Sequence, residues 1–148
     1  MKVRRGLPSD LELLVAGNSR MALETESLTL DPQKIRPGVA AVLEGKVSAR
    51  YYVGEVGGAV VAQLMITEEW SDWRNASVWW IQSVWVPPEH RRQGYYRELY
   101  LEVKEEARKA GAAGIRLYVD ARNERAKAVY RALGMNGEHY QVFEAMDA

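Results

Sequence analysis

The sequence predicts an α/β fold in one domain, and three observations support this prediction. The period of the apolar residues changes from helical to alternating and back again along the chain. A segment that is apolar on both faces, 77–86, is followed by a helical segment and a second short strand, which is the order that produces a parallel pair. The 148 residues, 47% hydrophobic and 27% charged, are enough for one soluble domain with a core and too few for two.

The first third of the chain predicts one strand and two helices. Lys2–Arg5 is short and alternating, as expected of a first or edge strand. A helix begins at Asp10, which is preceded by Pro and Ser, and its apolar residues recur at helical spacing. A second helix begins at Asp31 with Pro32 in the first helical position, and it ends before Gly45.

The middle of the chain predicts strands. Segments 51–56 and 59–67 alternate on either side of two glycines at 57–58, a pattern typical of a β-hairpin. Segment 68–76 is polar and aromatic, and we expect it to be a loop. Segment 77–86 is apolar on both faces, which predicts a central strand covered by helices on both sides.

The last third predicts helix, strand, helix and strand. The helix covers 95–110, and the short strand 115–119 follows as the parallel partner of the central strand. Asn123 caps the next helix, and Gly134 ends it in the left-handed conformation. Segment 140–146 is expected to be a last strand.

Composition excludes several classes of function. Twenty Lys and Arg balance twenty Asp and Glu, so the chain lacks the basic excess usual in nucleic-acid or membrane-surface binders. The absence of Cys excludes disulfides, thiolate metal sites and a Cys nucleophile, and two histidines make a multi-histidine metal site unexpected. No apolar run is long enough to span a membrane, and the N-terminus does not resemble a signal peptide, so we expect a cytoplasmic protein.

A basic turn between the central strand and the following helix predicts a phosphate site. Arg91, Arg92 and Arg97 surround Gly94 at the start of that helix. Free backbone N–H groups and the positive end of the helix dipole converge there, which suits a pyrophosphate. The alternative for this turn is an ordinary solvated basic surface.

Two motifs resemble those of the GNAT superfamily of N-acetyltransferases. Arg91, Gly94 and Tyr96 match the motif Arg-x-x-Gly-x-Gly/Ala, with Tyr in the last position. Segment 123–135 is similar to the second acyl-CoA motif, Asn-x-x-Ala-x-x-x-Tyr-x-x-x-Gly-Phe. The two motifs stand in the expected order, separated by a helix and a strand, and the whole order of elements fits the superfamily.

The resemblance implies a GNAT-like mixed central sheet with helices on both faces and a splayed parallel strand pair. It implies acetyl-CoA as the cofactor, held where strands 77–86 and 115–119 part. The strand residues that would pair with the pantetheine amides or flank that track are Val84, Trp85 and Val86. The residues that would hold the pyrophosphate or the rest of the cofactor are Arg91, Arg92, Gln93, Gly94, Tyr95, Tyr96, Arg97, Asn123 and Tyr130.

The implied reaction is direct attack of an amine on the thioester. Tyr130 matches the tyrosine that in many relatives protonates the departing thiolate, although its position on an apolar helix face also fits simple packing. Asn123 would reach the pantetheine arm while capping its helix. An alkyl ammonium is mostly protonated at neutral pH, so a general base is needed. A backbone N–H of the strand at 84–86 can stabilise the oxyanion.

Two positions depart from the superfamily pattern. Tyr96 replaces the usual Gly or Ala, so its side chain must turn away from the phosphates or repack the turn. Gln82 stands near where many relatives carry a basic Glu, and Gln cannot take a proton. Glu24 and Glu26, from a region that forms an acceptor wall in relatives, are the first candidates for the base. The second-choice carboxylates lie before the central strand and are Glu68, Glu69 and Asp72.

The acceptor is expected to be a small amine. All five Trp fall within 70–85, and we expect Trp70 and Trp73, with Gln82, Glu24 and Glu26, to line its site. Segment 24–72 carries eight Asp and Glu against four Lys and Arg, whereas 87–131 carries seven against eleven. An acidic acceptor side would favour a cationic amine.

Two other function classes remain as alternatives. One is a non-catalytic acyl-CoA-binding or regulatory module on the same fold, which Tyr96 and Gln82 would favour if they meant lost chemistry. The other is an unrelated nucleotide-phosphate binder, which ranks last because the chain has neither a Gly-x-x-x-x-Gly-Lys-Ser/Thr loop nor a Gly-x-Gly-x-x-Gly turn. The sequence leaves open a monomer or a homodimer.

Overall fold

The computed structural model of the chain describes residues 1–147. Residues Met1–Leu117 form one compact unit and the residues after Leu117 form a second. The strands are β1 (Lys2–Arg5), β2 (Ala49–Val56), β3 (Ala59–Ser71), β4 (Ala76–Trp85) and β5 (Gly114–Leu117). The helices are α1 (Leu11–Glu26), α2 (Pro32–Leu43), α3 (Tyr95–Lys109) and α4 (Glu124–Ala132).

The five strands form one mixed sheet in the order β1-β2-β3-β4-β5. The first four pair antiparallel, and β4 pairs parallel with β5. The α/β class and the parallel pair predicted from the sequence are confirmed. The two-glycine hairpin is also confirmed, since Gly57 and Gly58 both have positive φ between β2 and β3.

Helices α1 and α2 cover one face of the sheet. Leu14 and Val39 from these helices pack with Tyr51 and Val53, which share a face of β2 because they are two residues apart. The α2 helix begins as predicted, with the side chain of Asp31 accepting a hydrogen bond from a backbone N–H of its first turn. This layer places the end of α1 beside β4.

Helix α3 covers the opposite face and connects β4 to β5. Its apolar stripe is buried, and the helix packs against β2, β3 and β5. Both alternating sets of β2 side chains from Tyr51 to Gly54 are buried, as expected of a strand with helices on both sides. The prediction of helices on both faces is confirmed.

The residues after Leu117 contain one helix, α4. The Asn123 side chain caps it by accepting a hydrogen bond from the N–H of Ala126 at 3.1 Å. Gly134, just beyond the helix, has a φ of 84°, as predicted. No helix within residues 1–147 is long and apolar enough to cross a membrane.

Two predicted elements differ from the structure. The expected loop 68–76 is a continuation of the hairpin, because β3 runs to Ser71 and only 72–75 turn. The expected last strand at 140–146 is wrong, since no strand follows β5 within residues 1–147. A strand exists only where its backbone pairs with another, and an alternating pattern alone does not supply that partner.

Candidate functional site

The end of β4 contains a β-bulge. In the register with β3, Gln63 lies opposite Trp85 and Met65 opposite Gln82, so Leu64 alone faces two β4 residues. Those two residues are Ser83 and Val84, and Ser83 has a φ of 54°, in the left-handed region. The extra residue switches the faces of β4, so Gln82 and Trp85 point to the same side although three positions apart.

The same segment of β4 is also free of β5. The parallel register pairs Val78–Ile81 with Gly114–Leu117 and ends there. Because the bulge interrupts pairing on the β3 side as well, the backbone around Val84 has N–H and C=O groups available to a ligand. The predicted cofactor residues Val84, Trp85 and Val86 lie at this opening, with the Trp85 side chain buried.

Residues 86–94, which include a short 3-10 helix at Pro88–His90, lead from this opening into α3. Arg92 and Gly94 both adopt the left-handed conformation, and Gly94 occupies the N-cap position without a side-chain cap. The first N–H groups of α3 therefore have no intrahelical acceptor and carry the positive end of the helix dipole. The ring of Tyr96 lies 6.3 Å from that of Tyr100, so this large side chain runs along the helix. Nearby, Tyr95 lies beside His90, and Gln93 Nε2 donates to the carbonyl of Glu89.

The guanidinium of Arg91 is bound by the protein itself. Its Nη1 and Nη2 donate to the two carboxylate oxygens of Glu24 at 2.7 and 2.9 Å. Its Nε donates to the carbonyl of Val86 at 2.9 Å, and it lies over the ring of Trp85. By contrast, Arg92 at the same turn makes no ion pair among residues 1–147. Arg91 therefore joins the end of α1 to the end of β4.

Glu24 and Glu26 lie at the end of α1, and their surroundings differ. Glu24 accepts hydrogen bonds from Arg91 on both of its carboxylate oxygens. Glu26 is exposed. A cleft of about 390 Å³ opens beside this helix end, lined by Arg20, Leu23, Glu24, Trp85, Pro88 and Glu89.

The structure does not bring the predicted aromatic wall to this cleft. Trp70 and Trp73 lie at the tip of the β3–β4 hairpin, 64% and 90% exposed. The tip is at the start of β4, about 30 Å along the strand from Trp85. The second-choice carboxylates lie on the same hairpin, where Glu68 and Glu69 make ion pairs. Gln82 lies on β4 next to the bulge, and its amide donates to Thr67 Oγ1 at 2.7 Å.

The remaining two predicted residues belong to the second unit. Asn123 uses its side-chain oxygen as the cap of α4. Tyr130 lies in the last turns of the same helix, and burial raises the pKa of its hydroxyl. The hydroxyl is therefore protonated throughout the neutral range.

Sequence reasoning missed the bulge and the residues around it. Ser83 carries no sequence signal for a positive φ, because Gly and Asn are the usual residues there. Asn18 is a buried polar residue of α1. The sequence indicates its burial only weakly, because it occupies a position in the helical spacing of the apolar residues. Among residues 1–147, no group of three His, Asp or Glu side chains could hold a metal ion.

Comparisons with known proteins identify the family of the chain. The sequence profile of the acetyltransferase (GNAT) family matches residues 21–135. A possible acetyltransferase from Clostridium difficile 630 is 39% identical, with 97% of this chain and 95% of that chain covered and a TM-score of 0.89. A comparison with curated proteins found no match.

More distant structures share the fold alone. A GCN5-related N-acetyltransferase from Ralstonia eutropha JMP134 is 20% identical, with 97% of each chain covered and a TM-score of 0.77. An aminoglycoside acetyltransferase from an uncultured soil metagenomic sample, in complex with sisomicin, is 14% identical, with 97% and 93% covered and a TM-score of 0.77. The family match over most of the chain and the 39% identity of the Clostridium protein establish the class. The chain belongs to the GNAT family of acetyltransferases and is an acyltransferase.

Proposed function

We propose that this enzyme transfers an acetyl group from acetyl-CoA to the primary amine of a small acceptor. The observation that carries the proposal is the end of β4, where the bulge and the separation from β5 release the backbone from both neighbouring strands. Residues 86–94 connect that released backbone to the uncapped start of α3. A long ligand with amides at one end and phosphates at the other fits this arrangement, in which unpaired strand backbone is followed by the free N–H groups of a helix start.

The residues present fit acetyl-CoA. The backbone of Val84 and Val86 would pair with the pantetheine amides, as an added strand would. The pyrophosphate would accept from the first N–H groups of α3, with Arg92 and Arg97 as the neighbouring cations. Neither of these two arginines makes an ion pair among residues 1–147, whereas Arg91 is held by Glu24. We therefore assign Arg91 a structural role in shaping the cofactor turn.

The chain is proposed to supply three groups for the reaction, which are a backbone N–H, a tyrosine acid and a carboxylate base. When bound, acetyl-CoA provides the acetyl thioester that the amine attacks. A backbone N–H of the segment 84–86 is proposed to stabilise the charge that develops on the thioester oxygen. Tyr130 is proposed to protonate the leaving thiolate, on its match to the family motif and on its raised pKa.

The base is proposed to be a carboxylate that is free to take a proton. Glu26 meets this condition, since its carboxylate makes no hydrogen bond or ion pair among residues 1–147. Glu89 is a second candidate, because it lines the cleft and its carboxylate is likewise unpaired in the described chain. We expect Glu26→Gln or Glu89→Gln to lower kcat by about 10²-fold or more, because the amide cannot accept a proton from the amine. Glu102→Gln on the exposed side of α3 is the matched control.

The acceptor is proposed to bind in the cleft beside Trp85. Its lining carries one cation, Arg20, and one unpaired carboxylate, Glu89, while the charge of Glu24 is offset by Arg91. This balance removes part of the support for a cationic acceptor that the charge count of 24–72 had given. Cationic, neutral and zwitterionic amines should therefore all be compared.

The test is a screen that detects free CoA after incubation of the purified chain with acetyl-CoA and a panel of primary amines. Release of CoA that depends on one amine, with formation of its N-acetyl product, would support the proposal. Binding of acetyl-CoA without turnover of any amine would overturn the amine assignment and favour an acyl-CoA-binding module. A control reaction without amine measures spontaneous thioester hydrolysis.

A further inference from the structure

The cleft beside the end of α1 carries two charges of opposite sign that do not pair with each other. Arg20 lines it from α1, and Glu89 lines it from the short 3-10 helix after β4. Neither side chain makes a hydrogen bond or ion pair within residues 1–147. Opposite charges that line one cleft without meeting leave room between them for a ligand that carries both signs.

The packing of α1 directs Arg20 into this cleft. Gly17 lies against the sheet, since a Cβ there would stand 3.0 Å from the Trp85 ring. Arg20 and Glu24 follow Gly17 at helical spacing on the same face of α1. That face therefore runs from the contact with Trp85 to the cleft, and Arg20 is presented there by the helix.

The carboxylate nearest to Arg20 along this face is held elsewhere. Glu24 accepts from Arg91 Nη1 and Nη2 at 2.7 and 2.9 Å, one bond to each of its oxygens. Although Glu24 is four residues from Arg20, the two side chains form no ion pair. Arg20 therefore keeps a positive charge that the protein does not offset.

The rest of the lining is apolar. It consists of Leu23, Trp85 and Pro88, and the Leu23 side chain is 59% exposed. The volume of about 390 Å³ lies in the range of small-molecule sites. A ligand that suits the cleft has a small apolar body as well as one positive and one negative group.

We propose that the acceptor is a free amino acid with an apolar side chain, whose carboxylate binds Arg20 and whose ammonium group lies against Glu89. The inference rests on the proposed acetyl transfer and names its acceptor. The planar guanidinium of Arg20 can donate two parallel hydrogen bonds to one carboxylate. Glu89 follows Val86 closely in the chain, so the amine end of the ligand lies on the side of the proposed thioester site.

Paired acceptors test the need for a carboxylate. Leucine, methionine and phenylalanine are each compared with the amine that has the same side chain and no carboxylate, namely 3-methylbutylamine, 3-(methylthio)propylamine and 2-phenylethylamine. We expect kcat/KM of at least one amino acid to exceed that of its amine by about tenfold or more, as for a hydrogen-bonded charge pair. Amines that react as well as the amino acids would overturn this inference and leave the acetyl transfer standing.

A substitution at Arg20 tests the residue that recognises the carboxylate. Arg20→Gln should raise KM for the preferred amino acid about tenfold and change KM for the paired amine less than twofold. Arg20→Lys keeps the charge and should recover part of the affinity. Lys34→Gln, which removes an exposed and unpaired cation from α2, is the control and should change neither KM. An equal rise for both acceptors in Arg20→Gln would indicate a structural role and would overturn the proposal.

A binding measurement without turnover separates this inference from the proposed function. The same amino acids are titrated calorimetrically into the wild type, Arg20→Gln and Lys34→Gln, each with CoA present. Binding that Arg20→Gln weakens and Lys34→Gln preserves would support the carboxylate site, even in a chain that acetylates no amine and so contradicts the proposed function. If no amino acid of the panel binds or reacts, the inference is overturned, whatever other amines do.

Discussion

Asp10 shows how a single buried carboxylate stabilises the start of the chain. Arg4 donates to both of its oxygens at 2.7 and 3.0 Å, and the N–H of Leu7 donates at 2.7 Å. The hydrogen bond from Arg4 is the main reason that the pKa of Asp10 is lowered, against the opposing effect of burial. These bonds tie β1 to the beginning of α1.

We predict that Asp10→Asn lowers the free energy of unfolding by about 2 kcal/mol at pH 7, because a charged hydrogen-bond partner of Arg4 is lost. A folded pKa below the unfolded value means that the stabilisation is complete above the unfolded pKa and is lost as pH falls through the folded pKa. Urea unfolding of both proteins from pH 7 down to pH 3 should therefore show the difference shrinking in the acid range. Glu102→Gln is the control, and a difference that grew on acidification would contradict the assignment.

Tyr130 carries the most direct test of the proposed chemistry at the residue scale. Tyr130→Phe keeps the ring and removes a hydroxyl that is protonated at neutral pH. We predict a fall in kcat of at least about tenfold with an unchanged Kd for acetyl-CoA. Tyr140→Phe, on an exposed tyrosine, is the control. An unchanged rate in Tyr130→Phe would leave Tyr130 with a packing role alone.

The contact of α1 with the sheet depends on one glycine. A Cβ on Gly17 would stand 2.3 Å from Gln63 Oε1 and 3.0 Å from the Trp85 ring. Gly38, within α2, has nothing within 4 Å of the same position. Alanine at Gly38 therefore changes helix propensity alone, whereas alanine at Gly17 changes both helix propensity and packing.

We predict opposite signs for two alanine substitutions. Gly38→Ala should stabilise the chain by roughly 0.5–1 kcal/mol through helix propensity. Gly17→Ala should destabilise it by about 1–3 kcal/mol, since crowding against Gln63 and Trp85 outweighs the same propensity gain. Urea unfolding measures the free energy of unfolding of both variants. Stabilisation by Gly17→Ala would show that α1 shifts on the sheet to accommodate the added methyl group.

At the element scale, the sequence predicted helix caps and turns, which depend on neighbouring residues. It did not predict features that depend on how strands pair. The Asp31 cap and the glycine pair at 57–58 are local signals, and both elements form where expected. The bulge at Ser83 arises from the register between β3 and β4. No residue type in β4 indicates that register. The hairpin extends through 68–71 because β4 pairs with it, although three of these four side chains are polar.

At the scale of the whole molecule, contacts between distant residues changed the site. Arg91 and Glu24 were predicted as a phosphate ligand and a base, yet they bind each other across 67 positions of sequence. Sequence spacing carries no information about such a pair. The motif residues lie at the start of α3, and the role of each arginine there depends on the residues that α1 places beside it.

The cofactor should stabilise the whole fold, because it binds the folded chain and not the unfolded one. At about 100 times its Kd, acetyl-CoA should add roughly 2.7 kcal/mol to the free energy of unfolding. For a domain of this size that corresponds to a rise in Tm of roughly 5–10 °C, measured by calorimetry. S-acetylpantetheine, which lacks the phosphates, is the matched ligand control at equal concentration. A smaller shift with this control is expected if the start of α3, Arg92 and Arg97 bind the phosphates, and the difference should narrow in 1 M salt. No shift at millimolar acetyl-CoA would contradict the cofactor assignment, and equal shifts for the two ligands would remove the phosphate site from the turn.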